Sequence, residues 1–512
     1  MKKFLLLLLV LGTLACDNTT RQIPEARAAT ILPVPKRVDL QDQTLLLSRE
    51  SKFYSPDPDM TPLFEVLSYQ FGRVSNLEPS IAATEDASAD LIFRLDPALE
   101  GEAYRIDIND RVEVRGANYT ALARAGQVLV QLMGMEKNEG ALPVGTIEDR
   151  PDVAYRGLMI DLARQWHDLR TLRRLINMAA FYGVNYLHLH FTDYQSYTLP
   201  SDYLPKLPTP ERHYSKDDIR NLVEYARTRG VTIVPEIDIP GHSSPFVEQY
   251  PEIFAIRDTS DNPWIINMGR EAAYVALDSI ITEAIALFPN SPYFHIGGDE
   301  AIFIAVDRDP DVRAYMQAND LGDDVHDLYR HFLVRMNEIV KRNGKQMCVW
   351  EGFRPEGTVE IPKDILVFEF ETNRYLPQEL VRDGYQVVNT SWKPLYVVNK
   401  KKWEPAVIYD WNLWNWGNWW PEAPSYEPIQ LDETPLVVGA QMCSWEQAGE
   451  VEIPSLRKRL PAFVERVWNV EQQIPYDSFE VRMNQLDERL TRLIRDGRQD
   501  SLLVGYNWVA EE

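Results

Sequence analysis

The chain has 512 residues, enough for one large catalytic domain and a smaller companion. Its 53 basic and 77 acidic residues leave a net charge of -24, a surface that repels nucleic acid and anionic membrane and excludes both as electrostatic partners. With 45% hydrophobic and 11% aromatic residues, including 13 Trp, the composition fits a packed core and argues against wholesale disorder.

The N-terminus pairs Lys2 and Lys3 with an apolar run from Phe4 to Ala15 that is too short to span a bilayer and has the build of a secretion signal. It stops at Cys16 after a small residue, the pattern of a bacterial lipoprotein processing site in which the cysteine is lipidated, although Thr13 stands where such sites usually have Leu. Simple signal cleavage is the alternative. The expectation is an exported protein of the bacterial cell envelope, on either face of the membrane, held by a lipid on Cys16 and a polar tether over 17–30. Cys348 and Cys443 lie in apolar strand-like segments and are expected as buried thiols.

Residues 31–150 alternate short β stretches, "AYRIDI" and "RVEVRG", with one clear helix, "NYTALARAGQVLVQLMG", and predict a small α+β domain with a supporting role. "TIEDRPDVAYRG" supplies the Pro and polar residues of a boundary. Over 151–475 eight apolar strand runs follow, at 157–163, 184–191, 231–238, 293–298, 346–352, 365–371, 386–391 and 437–446. Amphipathic helices such as "LRRLINMAAFYG" and "KDDIRNLVEYARTRG" separate most of them, which predicts a (β/α)8 TIM barrel; a C-terminal helical extension over 476–512 completes the chain. No internal repeat is visible beyond that alternation.

In a barrel of this kind the chemistry sits at the C-terminal ends of the strands. Polar residues gather there: Asp161 and Arg164, then His188, His190 and Asp193, then Glu236, Asp238 and His242, then Asp299 and Glu300, then Trp350 and Glu351, and finally Trp445 and Glu446. The fourth strand ends in "HIGGDE", two adjacent acids after a Gly pair. Glycosidases with two carboxylates flank the scissile bond, about 5 Å apart in retaining enzymes, and neighbours in extended backbone diverge too much to do so. Adjacent acids suit a substrate that carries its own nucleophile, the 2-acetamido carbonyl of an N-acetylhexosamine: one carboxyl protonates the leaving oxygen and the other orients the acetamido group.

"HIGGDE", "YRGLMIDLAR", "VNYLHLHFTDYQ" and "VPEIDIPGH", in that order, resemble glycoside hydrolase family 20, the β-N-acetylhexosaminidases, and the likeness runs from about 100 to 470. The resemblance implies that Glu300 is the general acid and then the base, and that Asp299 orients the acetamido group and stabilises an oxazolinium-like intermediate. It implies that Arg164 binds sugar hydroxyls, that Asp193 and His242 manage the proton of the acid, and that Tyr396 hydrogen-bonds the acetamido oxygen. Trp350 and Trp445 become walls of an aromatic pocket, with Phe368 or Phe370 as a third. Two departures touch hydroxyl recognition: "DYQSY" puts Tyr194 and Tyr197 where the family has an acid and a tryptophan, and "WEQ" puts Gln447 where it has a gripping glutamate, a role open to Glu446.

The resemblance implies an exo-acting, retaining hydrolase of glycans with a terminal N-acetylhexosamine, needing no cofactor or metal because the carboxyl pair and the substrate's amide cover acid, base and nucleophile. The competing reading is a catalytically weak, carbohydrate-binding lipoprotein. His188 and His190 share a strand face and admit a metal site. A structural place at the barrel mouth is the stronger expectation for them, as support is for Glu236, Asp238 and Glu351. The Trp-dense stretch 409–424 reads equally as a sugar-stacking loop or as packing. The natural glycan and the oligomeric state stay open.

Overall fold

Alternating burial along Tyr104–Ile108 and Val112–Gly116, apolar side inward, builds the middle of a seven-stranded sheet. In the computed structural model, which describes residues 30–85, 89–134, 140–257, 263–471 and 474–495, the sheet runs Arg37–Leu47, Gly140–Asp149, Tyr104–Ile108, Val112–Gly116, Ala89–Leu95, Lys52–Tyr54, Ser80–Ile81. Cys16, with the leader, lies outside the described residues. The expected helix forms over Tyr119–Leu132, started by Asn118, whose side chain accepts the Ala121 N–H at 3.0 Å. All of Ala121 to Leu132 is buried, because the helix meets the sheet on one side and the barrel helix Leu169–Tyr182 on the other. Arg124 and Gln131 donate across that seam to the Phe181 carbonyl at 3.0 and 2.7 Å. A second helix, Thr61–Ser75, joins the one anticipated; Pro62 opens it and left-handed Asn76 closes it.

The eight strands of the barrel are Tyr155–Asp161, Tyr186–His190, Thr232–Glu236, Tyr293–His295, Gln346–Trp350, Leu366–Glu369, Gln386–Asn389 and Val437–Ser444. All pair in parallel, and the seventh closes on the eighth at Val388 and Gly439. Near-continuous apolar runs suit strands covered on both faces. Most strands stop short of the apolar run that announced them; the fourth ends at His295 because Gly297 and Gly298 take positive φ, 69° and 98°. The helical ring is incomplete. Residues 351–365 cross from the fifth to the sixth strand without a helix, and Arg330 satisfies two of their exposed carbonyls, of Val359 and Arg354, at 2.6 Å each.

The helix Tyr476–Ile494 packs its Phe479, Met483, Leu486, Leu490 and Leu493 face against both Thr61–Ser75 and Leu169–Tyr182, clamping the small domain to the barrel. Cys348 and Cys443 are buried free thiols on the fifth and eighth strands.

Candidate active site

Below the mouth of the barrel, four aromatic or imidazole side chains converge on one carboxylate. Glu236, fully buried at the end of the third strand, lies 2.6 Å from His190 Nδ1, 3.0 Å from His188 Nε2 and 3.2 Å from His295 Nδ1, and accepts from Trp350 Nε1 at 2.6 Å. Burial alone would favour its neutral form, but the charges of His190 and His295 and the bond to His188 hold its carboxyl well below the usual range. His190 Nδ1 and Trp350 Nε1 hydrogen-bond Glu236, whereas Nε2 of His188 and of His295 have no well-aligned partner among the described residues. Glu236 fixes the Trp350 indole, with His188 stacked on that ring at 5.6 Å and His190 bonded to the other oxygen of the carboxylate.

Above this floor the catalytic candidates assemble from different strands. The turn after the fourth strand carries positive φ at Gly297, Gly298 and Glu300 (46°), and a Cβ on Gly297 would overlap the Asp238 carboxylate. Asp238 Oδ1 accepts the Gly298 N–H at 3.0 Å and pins the turn. The turn sends the two neighbouring acids to different surroundings: Asp299 is 8% exposed, while half of the Glu300 side chain faces solvent. His242 Nε2 faces both, 3.5 Å from Glu300 and 3.9 Å from Asp299, and its Nδ1 meets Asp193 at 3.1 Å. Tyr194 lies flat on the imidazole with ring centres 4.6 Å apart.

Electrostatics divides the pair. Burial, reinforced by the charge of Glu300, raises Asp299 to about 6 against the pull of His242. The hydrogen bond to His242 lowers Glu300. Burial opposes a charge on His242, but Asp238, Asp193 and Glu300 outweigh it and keep the ring protonated well above its usual range. The free site therefore stores a proton on His242, one ring nitrogen away from Glu300.

Arg164 closes the other side. Its guanidinium bonds Asp193 at 2.6 Å and Asp161 at 3.3 Å, reaches Glu446 at 3.8 Å, and lies 5.0 Å over the Trp445 ring. Asp193 is thereby the hub between Arg164, His190 and His242, and their bonds hold it ionised against its burial. Trp350 and Trp445 rings meet at 5.9 Å, Trp350 and Phe370 at 5.8 Å, and Phe370 stacks parallel to Tyr396 at 6.1 Å. Of the two candidates for the third wall, Phe370 takes the place beside Tyr396, whereas Phe368 packs deeper, against Tyr155, His188 and His295. Burial pushes the Tyr396 phenol up and keeps it a neutral donor.

The last two residues of "WEQ" part company. Glu446, at φ 58°, presents a half-exposed carboxylate to Arg164. Gln447 is turned inward: its amide donates to the Trp445 carbonyl at 2.9 Å and to Asn399 at 3.3 Å, and accepts from Ser455 at 3.1 Å. Its place is under the loop rather than in the pocket. Sequence reasoning missed Arg374 and Glu371, on the loop after the sixth strand. Arg374 helps lower Glu300 and forms an ion pair with Glu371 at 3.8 Å. Glu351 Oε1 secures that loop through the Arg374 and Tyr375 N–H groups, both at 2.7 Å. No motif or spacing in "ETNRY" marks these residues, because only the fold brings them to Glu300. The Trp-dense stretch splits, with Trp411 and Trp416 packed inside and Trp419 and Trp420 exposed at 41% and 47%.

The family model for the glycosyl hydrolase family 20 catalytic domain matches residues 153–471, and that for domain 2 of the same family matches 28–150. The chain belongs to glycosyl hydrolase family 20. A β-hexosaminidase of Vibrio furnissii is 28% identical over 399 residues, 72% of this chain and 64% of that protein. One of Porphyromonas gingivalis is 26% identical over 68% of this chain and 50% of its own length, so the chain spans about half to two thirds of these relatives. Among solved structures, an exo β-N-acetylglucosaminidase of Vibrio harveyi in complex with N-acetylglucosamine superposes with a TM-score of 0.77 at 22% identity, covering 91% of this chain and 78% of that one. A β-N-acetylhexosaminidase of Bacteroides fragilis does so at 0.76 and 24%, covering 94% and 99%.

Proposed function

We propose that the protein is an exo-acting β-N-acetylhexosaminidase that releases terminal N-acetylglucosamine or N-acetylgalactosamine with retention, using the substrate's 2-acetamido group as nucleophile. The observation that carries this is the unlike pair at the barrel mouth. Asp299 is buried under an aromatic wall with an Oδ1 that has no hydrogen-bond partner among the described residues, and Glu300 stands beside it in solvent reach. A buried carboxylate acceptor and the neutral Tyr396 phenol are what an acetamide requires, one for its N–H and one for its carbonyl.

On this reading Asp299, ionised, accepts the acetamido N–H and turns the carbonyl oxygen onto the anomeric carbon. As the glycosidic bond breaks, Glu300 delivers a proton to the leaving oxygen, and the carbonyl oxygen closes an oxazolinium ring whose positive charge Asp299 offsets. Water then opens the ring as Glu300 takes its proton back, and two inversions give retention. His242 lends Glu300 its proton before the first step and recovers it after the second, so the cycle ends with the charges it began with. Arg164 and Glu446 bind the hydroxyls at the far edge of the sugar. Both carboxyls flank the same imidazole nitrogen, which favours this division over a pair straddling the bond. The lipidated Cys16, and with it a place in the bacterial cell envelope, belongs to the same proposal and rests on the leader pattern alone.

The test compares wild type with Glu300→Gln on a β-N-acetylglucosaminyl disaccharide and on a nitrophenyl glycoside. Loss of an acid lowers kcat by about a hundredfold to ten-thousandfold, less on the nitrophenyl substrate, whose leaving group needs little protonation, with binding of the product sugar kept. Equal turnover by both proteins would sink the assignment. Binding without turnover by wild type on every substrate would favour the carbohydrate-binding lipoprotein.

A further inference from the structure

In a chain of net charge -24, two lysines stand on the rim of the pocket without a carboxylate partner among the described residues. Lys401 Nζ lies 3.4 Å over the Trp419 ring and 5.9 Å from Trp403, and Lys393 Nζ lies 5.7 Å from Trp403. The cluster is continuous with the pocket. Trp392 stacks on the wall residue Tyr396 at 4.9 Å and meets Trp419 at 5.6 Å. Asn418 pins the backbone beneath them: its Oδ1 accepts the main-chain N–H groups of Trp419 at 2.8 Å and Trp420 at 3.2 Å, while its Nδ2 donates to the Glu371 carbonyl at 3.2 Å. Two consecutive exposed tryptophans on a pinned backbone offer apolar ring surface to the C–H face of a sugar.

The charges state which sugar. Arg164, Arg374 and His242 offset Asp193, Glu371 and Glu446, and the carboxyls of Asp299 and Glu300 are left to oppose an anionic glycan; the ammonium groups beside the indoles supply positive charge at the rim. We propose that Trp419, Trp420, Lys393 and Lys401 form a second saccharide subsite. It takes the sugar next to the terminal N-acetylhexosamine when that sugar bears an anionic group, a uronate carboxylate or a sulfate ester. This rests on the hexosaminidase reading above and adds the class of its substrate.

The experiment measures kcat/KM on N-acetylglucosamine β-linked to a neutral hexose, to a uronate and to a sulfated hexose, with a nitrophenyl glycoside as the control for chemistry. The acidic disaccharides are expected to exceed the neutral one by about tenfold at low salt. The advantage disappears in the Lys393→Gln/Lys401→Gln double variant, returns with Arg at both positions, and leaves the nitrophenyl rate unchanged throughout. A response to only one acidic disaccharide identifies the group as carboxylate or sulfate. Equal rates on neutral and acidic disaccharides, or an advantage that survives the double variant, would overturn the subsite while leaving the hexosaminidase reading intact. Failure on the nitrophenyl glycoside itself would overturn that reading and the subsite with it.

Discussion

Two neighbouring carboxyls, Asp299 and Glu300, differ in almost every physical respect. One is buried and raised to about 6, the other half-exposed and lowered by His242. In the proposed mechanism Asp299 works ionised, so kcat/KM should fall as the pH drops through about 6, where a proton neutralises it. Asp299→Asn, which cannot take that proton, should show lower activity without that acidic limb; a limb of the same midpoint in the variant would assign it to another group. The Asp-Glu pair and the aromatic residues were legible in the sequence because each follows a strand run at a fixed distance. The choice of Phe370 over Phe368, the inward turn of Gln447 and the approach of Arg374 were not, because they depend on loop paths of 351–375 and 444–449 that no local pattern encodes.

The element that makes the site possible is the turn Gly297–Glu300. Three of its four residues have positive φ; the two glycines take it freely, Glu300 at a cost of about 1 kcal/mol or more, and the bond from Gly298 N–H to Asp238 holds the turn. Gly297→Ala forces a Cβ into the Asp238 carboxylate at a φ of 69°, and the expected result is a stability loss of about 3 kcal/mol with activity lowered beyond detection. Chemical denaturation and the nitrophenyl assay check it. Unchanged stability would mean that the turn has an alternative path. The strand-helix alternation was readable over most of the barrel, since apolar runs of strand length separated by helical periodicity have few other solutions. Thr61–Ser75 was missed because its solvent face is narrow: Thr61, Glu65, Ser68 and Gly72 fall at helical spacing, while nine of the fifteen residues are buried.

Across the whole molecule, the small domain, the barrel and the helix Tyr476–Ile494 share one buried seam, in which Arg124 and Arg156 both lie over Trp468, at 5.1 and 4.9 Å. The proposed anchor is separable from this body. Cys16→Ser should release the protein from the membrane fraction and abolish labelling by a fatty-acid analogue, with soluble activity retained. Membrane association that persists without Cys16 would refute a lipid there.

By itself the sequence determined the barrel, its eight strands and the identity of the acids at the fourth, because hydrophobic period and a short Gly-Gly-Asp-Glu turn are local properties written in consecutive residues. The tertiary structure alone decided how those acids differ, that Phe370 rather than Phe368 stands beside Tyr396, and that Lys401 lies over Trp419. Burial, proton sharing and charge all depend on what other strands place within a few ångströms, and adjacency in the chain carries no information about that.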